Sequence, residues 1–341
     1  LSAAAAPQQE AEAPEDTPEG EAQVEDIPKI GIVYRTVGSA YMFRDIQYQS
    51  FYLAEQKLWK ELAEEENFEI VEMEGGVLAA GGVSAVDALI GKEVDGIAFC
   101  FCDPQGVASG IIRAQEKGIP IVATGMRPPV EAETPFVGFA QEAIGIELGI
   151  KTANLFKEEF PDKNARILIA NNTSLSFNKE KEDGFVEGFQ SVLSSAEVVE
   201  KTEDDGTVRN ASNRISTALI GNPDINVFFT TSDLRAFGAL SALKKDMPDR
   251  LDEIILASTG GGNRAFSEMM DPGSPWRVEA AYLLKDFVER SWSVLEEMIK
   301  GEKEINSDEE YLISAKVFVE PSLSELEKFL QNHHKIDQLE Y

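Results

Sequence analysis

Residues 221–240 read Gly-Asn-Pro-Asp-Ile-Asn-Val-Phe-Phe-Thr-Thr-Ser-Asp-Leu-Arg-Ala-Phe-Gly-Ala-Leu. Gly221-Asn222-Pro223-Asp224 is a turn signal, because Gly, Asn and Asp tolerate turn dihedrals and Pro cannot continue a helix. The next five residues, Ile225 to Phe229, form a short apolar run of strand length. A helical pattern precedes the turn over 207–221 and another follows over 233–245. A buried strand held between two helices is the repeating unit of a parallel sheet covered on both faces.

The same rhythm extends in both directions. Upstream, strands are expected at Ile30–Tyr34, Phe68–Val71, Gly96–Phe101, Ile119–Ala123 and Pro135–Phe139. Helices are expected between them at Tyr41–Glu66, Val83–Lys92 and Gln105–Lys117, with Gly75–Gly82 as a glycine-rich loop. A helix over Glu142–Glu159 leads into a second series: strand 166–170, helix 178–195, strand 197–201, then the opening stretch. Strands at 253–257 and 278–281 and a helix over 283–300 complete it. The fold class is therefore α/β, with two similar doubly wound parallel-sheet lobes meeting near residue 140.

Composition narrows the function. The chain has 341 residues, 43% of them hydrophobic, enough for two domains with their own cores. With 31 basic and 61 acidic residues the net charge is -30. Such a surface repels phosphate backbones, so no nucleic-acid partner is expected. The first 28 residues hold eight acidic residues and no basic one, with many Ala and Pro. They cannot bury enough apolar surface to fold and read as a disordered acidic tether, with Leu1 to Ala6 resembling the tail of a removed signal peptide. No apolar run reaches the roughly 18 residues of a membrane span.

Chemistry-bearing motifs are sparse. Cys100 and Cys102 lie two apart on a strand, too extended for a disulfide, and read as buried small residues. The two histidines, His333 and His334, are at the C-terminus, so histidine-ligated zinc and a Ser-His-Asp triad are not expected in the body. Gly260-Gly261-Gly262 lacks the Lys-Ser/Thr of a phosphate loop. No cofactor, no metal and no enzymatic activity are expected.

Three phrases carry a family resemblance. They are Lys29-Ile30-Gly31-Ile32-Val33 before an aromatic-bearing loop; Asp95-Gly96-Ile97 through Asp103 with Lys117-Gly118-Ile119-Pro120-Ile121-Val122; and Pro223 through Leu240. Their order over residues 29–320 resembles the type I periplasmic binding proteins, the ribose-binding group that shares its fold with LacI-like ligand domains. The resemblance implies a hinge of three crossovers. It places 29–139 plus 283–311 in an N-terminal lobe and 140–282 plus 312–341 in a C-terminal lobe. It implies a secreted, periplasmic or extracellular monomer, with or without a lipid anchor, that closes on a small polar ligand such as a sugar, polyol or sugar derivative. The partner so implied is an ABC transporter permease; the alternative is a receptor feeding a chemotaxis or kinase system. A LacI-like repressor would need a basic helix-turn-helix before the first strand, where this chain is acidic.

The resemblance also implies site positions. Tyr41 and Phe43 fall where aromatics stack on sugar rings, or else are core residues of a first helical turn. Asp103 would accept hydroxyl hydrogen bonds or cap the helix after it. Arg127 would grip hydroxyl pairs or a carboxylate, or form a lobe-closing salt bridge. In the second lobe Asn171 and Asn172 end a strand, Ser232 and Asp233 open a helix that either could cap, and Thr259 and Tyr282 hold positions where sugar binders carry acid or amide side chains. The family's arginine in the following helix aligns with Lys181 or Phe185. Several acids of a ribose site are missing, which implies a modified sugar, a polyol or a sugar acid.

Overall fold

A computed structural model describes residues 27–34, 46–76, 78–101, 104 and 106–336, with side chains of the first helix from residue 53 onward. Two sheets divide the chain. The first is built from β1 (Lys29–Tyr34), β2 (Glu69–Glu74), β3 (Gly96–Cys100), β4 (Ile121–Thr124), β5 (Phe136–Phe139) and the late strand β11 (Glu310–Ile313). Its order is β2-β1-β3-β4-β5-β11, all parallel. The second is built from β6 (Arg166–Asn171), β7 (Glu197–Glu203), β8 (Val227–Thr230), β9 (Ile255–Gly260), β10 (Trp276–Tyr282) and β12 (Ala315–Val319). It repeats the order as β7-β6-β8-β9-β10-β12, with only β12 antiparallel.

Helices cover both faces of each sheet. α1 (Ile46–Glu66), α2 (Ala79–Gly91), α3 (Ala108–Glu116) and α9 (Leu284–Ile299) serve the first lobe. α4 (Gln141–Glu159), α5 (Ser176–Val192), α6 (Val208–Gly221), α7 (Asp233–Asp246), α8 (Asn263–Met269) and α10 (Leu323–Phe329) serve the second. None of the described helices is long and apolar enough to cross a membrane. Central strands are buried over nearly their whole length, as Val227–Thr230 is, because helices take up both faces.

The chain crosses between lobes at Ala140, Leu283 and Ser314, each a single residue between one lobe's strand and the other lobe's next element. The third crossing was expected between 311 and 312. β11 pairs with β5 through Ile313 opposite Phe139, which keeps the chain in the first sheet to that point. Ala140 donates its N–H to the Ile313 carbonyl at 2.9 Å, so two crossings are bonded to each other.

Other differences have local causes. Gly81 and Gly82, expected in a loop, lie inside α2. A Cβ on Gly81 would stand 2.5 Å from the Gly75 carbonyl oxygen, so glycine serves close packing of the helix start on the preceding turn. α4 and α5 approach closely through Gly145 and Gly149 on one and Gly184 and Gly188 on the other. A Cβ at any of the four would enter backbone atoms of the facing helix. The C-terminal segment, α10 followed by a π-turn over Leu330–His334, packs Phe329 and Leu330 on Phe266 and Phe318 of the second lobe. It also reaches the first lobe, where Lys335 pairs with Glu61 at 2.9 Å. The expected tether, 1–28, lies outside the described residues except for Ile27 and Pro28.

Candidate functional site

In each sheet the strand order reverses at one point, between β1 and β3 and between β6 and β8. In open α/β sheets the loops leaving the carboxyl ends at such a point diverge to opposite faces and leave a crevice. In the second lobe that crevice is lined by the end of β6, the end of β8 and the first turns of α5 and α7.

Lys181, on α5, is the centre of this wall and is 3% exposed. Its ammonium donates to the Thr231 carbonyl at 2.9 Å, to the Tyr282 hydroxyl at 3.2 Å and to Thr259 Oγ1 at 3.4 Å. Thr259 in turn donates to the Thr231 carbonyl at 3.0 Å, and the Tyr282 hydroxyl donates to Gln141 Oε1 at 3.3 Å. Tyr282 and Gln141 flank two of the lobe crossings. One hydrogen-bonded line therefore ties the strand ends of the second lobe to the hinge. The Tyr282 ring packs on Phe139 at 4.3 Å, and Phe139 stacks on Phe287 at 5.1 Å, giving the hinge an aromatic floor.

Asn171 is buried and turned inward. It donates to Glu182 Oε2 at 2.6 Å and accepts from Thr231 Oγ1 at 3.0 Å. Its amide is spent holding β6, α5 and β8 together. Asn172 is half-buried; its side-chain oxygen accepts from the Ser174 backbone and hydroxyl and closes the turn into α5. Ser232 precedes α7 without capping it through its side chain, and accepts from Arg235 at 3.4 Å. Arg235 is buried with Asp204, Nε to Oδ1 2.8 Å. Burial raises the Asp204 carboxyl even beside this cation.

Asp233 neither caps α7 nor faces open solvent. Its Oδ2 accepts from the Gly262 N–H at 2.9 Å, and its carboxyl hydrogen-bonds that of Glu279. Glu279, fully buried, also accepts from Gly261 N–H at 2.8 Å and from Trp276 Nε1 at 3.0 Å. Desolvation lifts Asp233 to about 6. Desolvation, with the adjacent Asp233 charge, lifts Glu279 well above the ordinary carboxyl range. Two like charges cannot both form cheaply at this separation, so the pair holds a proton to higher pH than two separate carboxyls would. The triglycine is therefore a lid over an acid pair. Gly260 has φ of +148°, and a Cβ there would stand 2.5 Å from the Asp233 carboxyl.

On the first lobe, Arg127 follows β4 beyond Gly125, whose φ of +80° turns the chain. Its guanidinium lies 5.5 Å over the Phe136 ring and reaches two carboxylates, Glu310 of β11 and Glu180 of α5 in the facing lobe. Of the two readings open for Arg127, the geometry forms the salt bridge between lobes. Pro104, Gly125, Phe136 and Phe139 from the first lobe and Ser176 and Phe177 from the second line the same small cavity. Tyr41, Phe43 and Asp103 lie outside the described residues.

The structure brings Thr259 and Tyr282 together through Lys181, sets Ser232 beside Arg235, and engages Asn171 with Glu182 and Thr231 and Asp233 with Gly262. Gln141, Glu180, Glu279 and Glu310 join them from outside the sequence-predicted set. Lys181 had a signal, the helix position aligned with an arginine; the glutamates had none.

Two matched sheets, three single-residue crossings and a reversal of strand order in each sheet define the two-lobed type I binding-protein fold. The chain belongs to the periplasmic binding protein family: residues 40–274 match the profile described as "Periplasmic binding protein domain". It is a binding protein, not an enzyme. Solved structures agree in fold. An ABC transporter periplasmic solute-binding protein from Actinobacillus succinogenes 130z with bound D-allose superposes with a TM-score of 0.72 at 18% identity, over 86% of this chain and 98% of that one. An arabinose-binding protein from Geobacillus stearothermophilus gives 0.72 at 16%, over 89% and 99%. A solute-binding protein from Bacillus halodurans C-125 with bound myo-inositol gives 0.71 at 18%, over 89% and 98%. At such identities the likeness establishes the fold alone. No curated protein matches by sequence.

Proposed function

We propose that this protein captures a small sugar, polyol or sugar derivative between its lobes and delivers it to an ABC importer. The observation that carries the reading is the line Lys181–Tyr282–Gln141, which couples a polar wall at the switch point to the hinge. A ligand that bonds this wall and the first lobe would favour the closed arrangement over the open one. In this reading Thr259, Tyr282, Ser232 and Asn172 present polar atoms to the ligand, with Lys181 orienting Thr259 and Tyr282. Tyr41, Phe43 and Asp103 supply the facing wall, and Arg127 its rim. Residues 1–28 act as a tether from the membrane surface to a body of two lobes, 29–139 with 284–313 and 141–282 with the C-terminal segment. Two of the similar structures hold D-allose and myo-inositol, and a third is an arabinose binder, which supports this chemical class.

The test is thermal unfolding of the full chain with D-allose, arabinose, myo-inositol and a wider set of monosaccharides, with amino acids and nucleosides as other classes. A ligand at 100 times its Kd stabilises by about 2.7 kcal/mol, a readily visible shift. The expected hit is a sugar or polyol. Lys181→Met should weaken its binding about tenfold or more, since an engaged buried cation is lost, while moving unfolding far less. A hit confined to amino acids or nucleosides would remove the carbohydrate reading.

A further inference from the structure

Arg127 is paired with carboxylates from two parts of the fold at once, one on each lobe. Its Nε and Nη2 donate to the two oxygens of Glu310 at 2.7 and 3.2 Å, a bidentate pair with the hinge strand. Its Nη1 donates to both oxygens of Glu180, at 3.0 and 3.2 Å, across the cleft. Beside this contact Leu175 and Phe177, at the start of α5, pack on the first-lobe cluster that includes Met126 and Phe136. The start of α5 is therefore one place where the lobes touch, and Glu180 meets Arg127 beside it.

We infer that Glu180 and Glu310 are specificity-determining residues that act through Arg127: together they occupy its guanidinium in the closed cleft and exclude ligands carrying a carboxylate. This deepens the sugar-binding reading above and rests on it. One cation with two carboxylates leaves the triad with a single net negative charge. A ligand carboxylate drawn to Arg127 must displace Glu180 from Nη1, and so opposes the closure that Glu180 helps to make. A neutral ligand leaves the triad intact. Glu310 holds the other edge of the guanidinium and keeps it aimed across the cleft, a positioning role. Among the described residues, the two cations of the second-lobe wall are already engaged. Arg235 is held by Asp204, and Lys181 spends three donor contacts on Thr231, Thr259 and Tyr282. Discrimination here works by repulsion against the wrong ligand as much as by attraction to the right one.

The experiment is calorimetric binding of matched pairs, D-glucose with D-glucuronate and D-galactose with D-galacturonate, with myo-inositol added. The full-length wild type is compared with the Glu180→Gln/Glu310→Gln double variant. In the wild type a neutral member should bind at least about tenfold more tightly than its acid. In the double variant that ratio should shrink by about fivefold or more. A purely structural role for the two glutamates would weaken both members equally and leave the ratio unmoved, which would overturn the inference. Acid and neutral members binding the wild type equally would overturn it while leaving the sugar-binding reading intact. Silence from every member of the set would instead remove the carbohydrate reading, and this inference with it.

Discussion

Gly188→Ala is expected to destabilise the second lobe by about 3 kcal/mol, the upper part of the range for overpacking a filled interior. The new methyl would enter the Ile146 carbonyl of the facing helix, and both neighbours are backbone, which cannot rotate aside. Gly149→Ala should behave alike, its Cβ falling 2.7 Å from the Phe189 nitrogen as well as on the Phe185 carbonyl. Gly221, at the end of α6, meets nothing within 4 Å, so Gly221→Ala is the control. At about 2–4 °C per kcal/mol for a domain of this size, the expected loss in Tm is roughly 6–12 °C for the packed positions and near zero for the control. Scanning calorimetry measures it. The consequence reaches function, because α5 carries Glu180 and Lys181: if the two helices are forced apart, both leave their partners. Equal stability of the packed and control variants would show that the helices are not in backbone contact.

The second large effect is a pH dependence set by Asp233 and Glu279. Both carboxyls are raised in the folded protein, Asp233 to about 6 and Glu279 well above its ordinary range. The folded state therefore holds protons that the unfolded chain has released above about pH 4. Stability from this source is complete below that pH and is lost as pH rises through about 6 and beyond. A shift of roughly two units corresponds to a ceiling of about 3 kcal/mol for Asp233. Asp233→Asn should remove much of that slope. The amide can still accept from Gly262 through its oxygen, and its NH₂ can donate to Glu279. An ionised Glu279 would then have three donors: the new amide, Gly261 N–H and Trp276 Nε1. Denaturant unfolding at pH 5 and pH 8 should show the variant gaining on the wild type by about 1.4 kcal/mol or more over that interval, since only the part of the Asp233 shift above pH 5 falls within it. The difference between the two chains isolates the pair, because the large acidic excess changes with pH in both. A pH-independent difference would mean that the carboxyls do not share a buried proton.

The C-terminal region was the least legible part of the fold. β11 alternates exposed and half-buried residues and begins with Glu310, so no apolar run marks it. It is a strand because β5 offers an open parallel edge, a fact about the assembled sheet. α8 and α10 are seven residues each, too short for a helical period to stand out. His334, near the C-terminus, is buried beside the hinge with its ring nitrogen 3.2 Å from the Tyr282 carbonyl.

What the sequence determined by itself was the α/β architecture, its doubling and the family it resembles. Strands such as Val227–Thr230 are short apolar runs between helical patterns, and that signal lies within a few residues of itself. What only the tertiary structure decided was the partner of each polar group. Arg127 meets Glu180 and Glu310 across 53 and 183 residues of chain, and Lys181 meets Tyr282 across 101. Periodicity carries no information over such separations. A lone Glu on a helix or an edge strand reads as a solvated charge until folding brings a cation to it. Asp233 shows the same division. Its place at the start of a helix was legible, but the removal of its carboxyl from water depended on β10 bringing Glu279 beneath the triglycine loop.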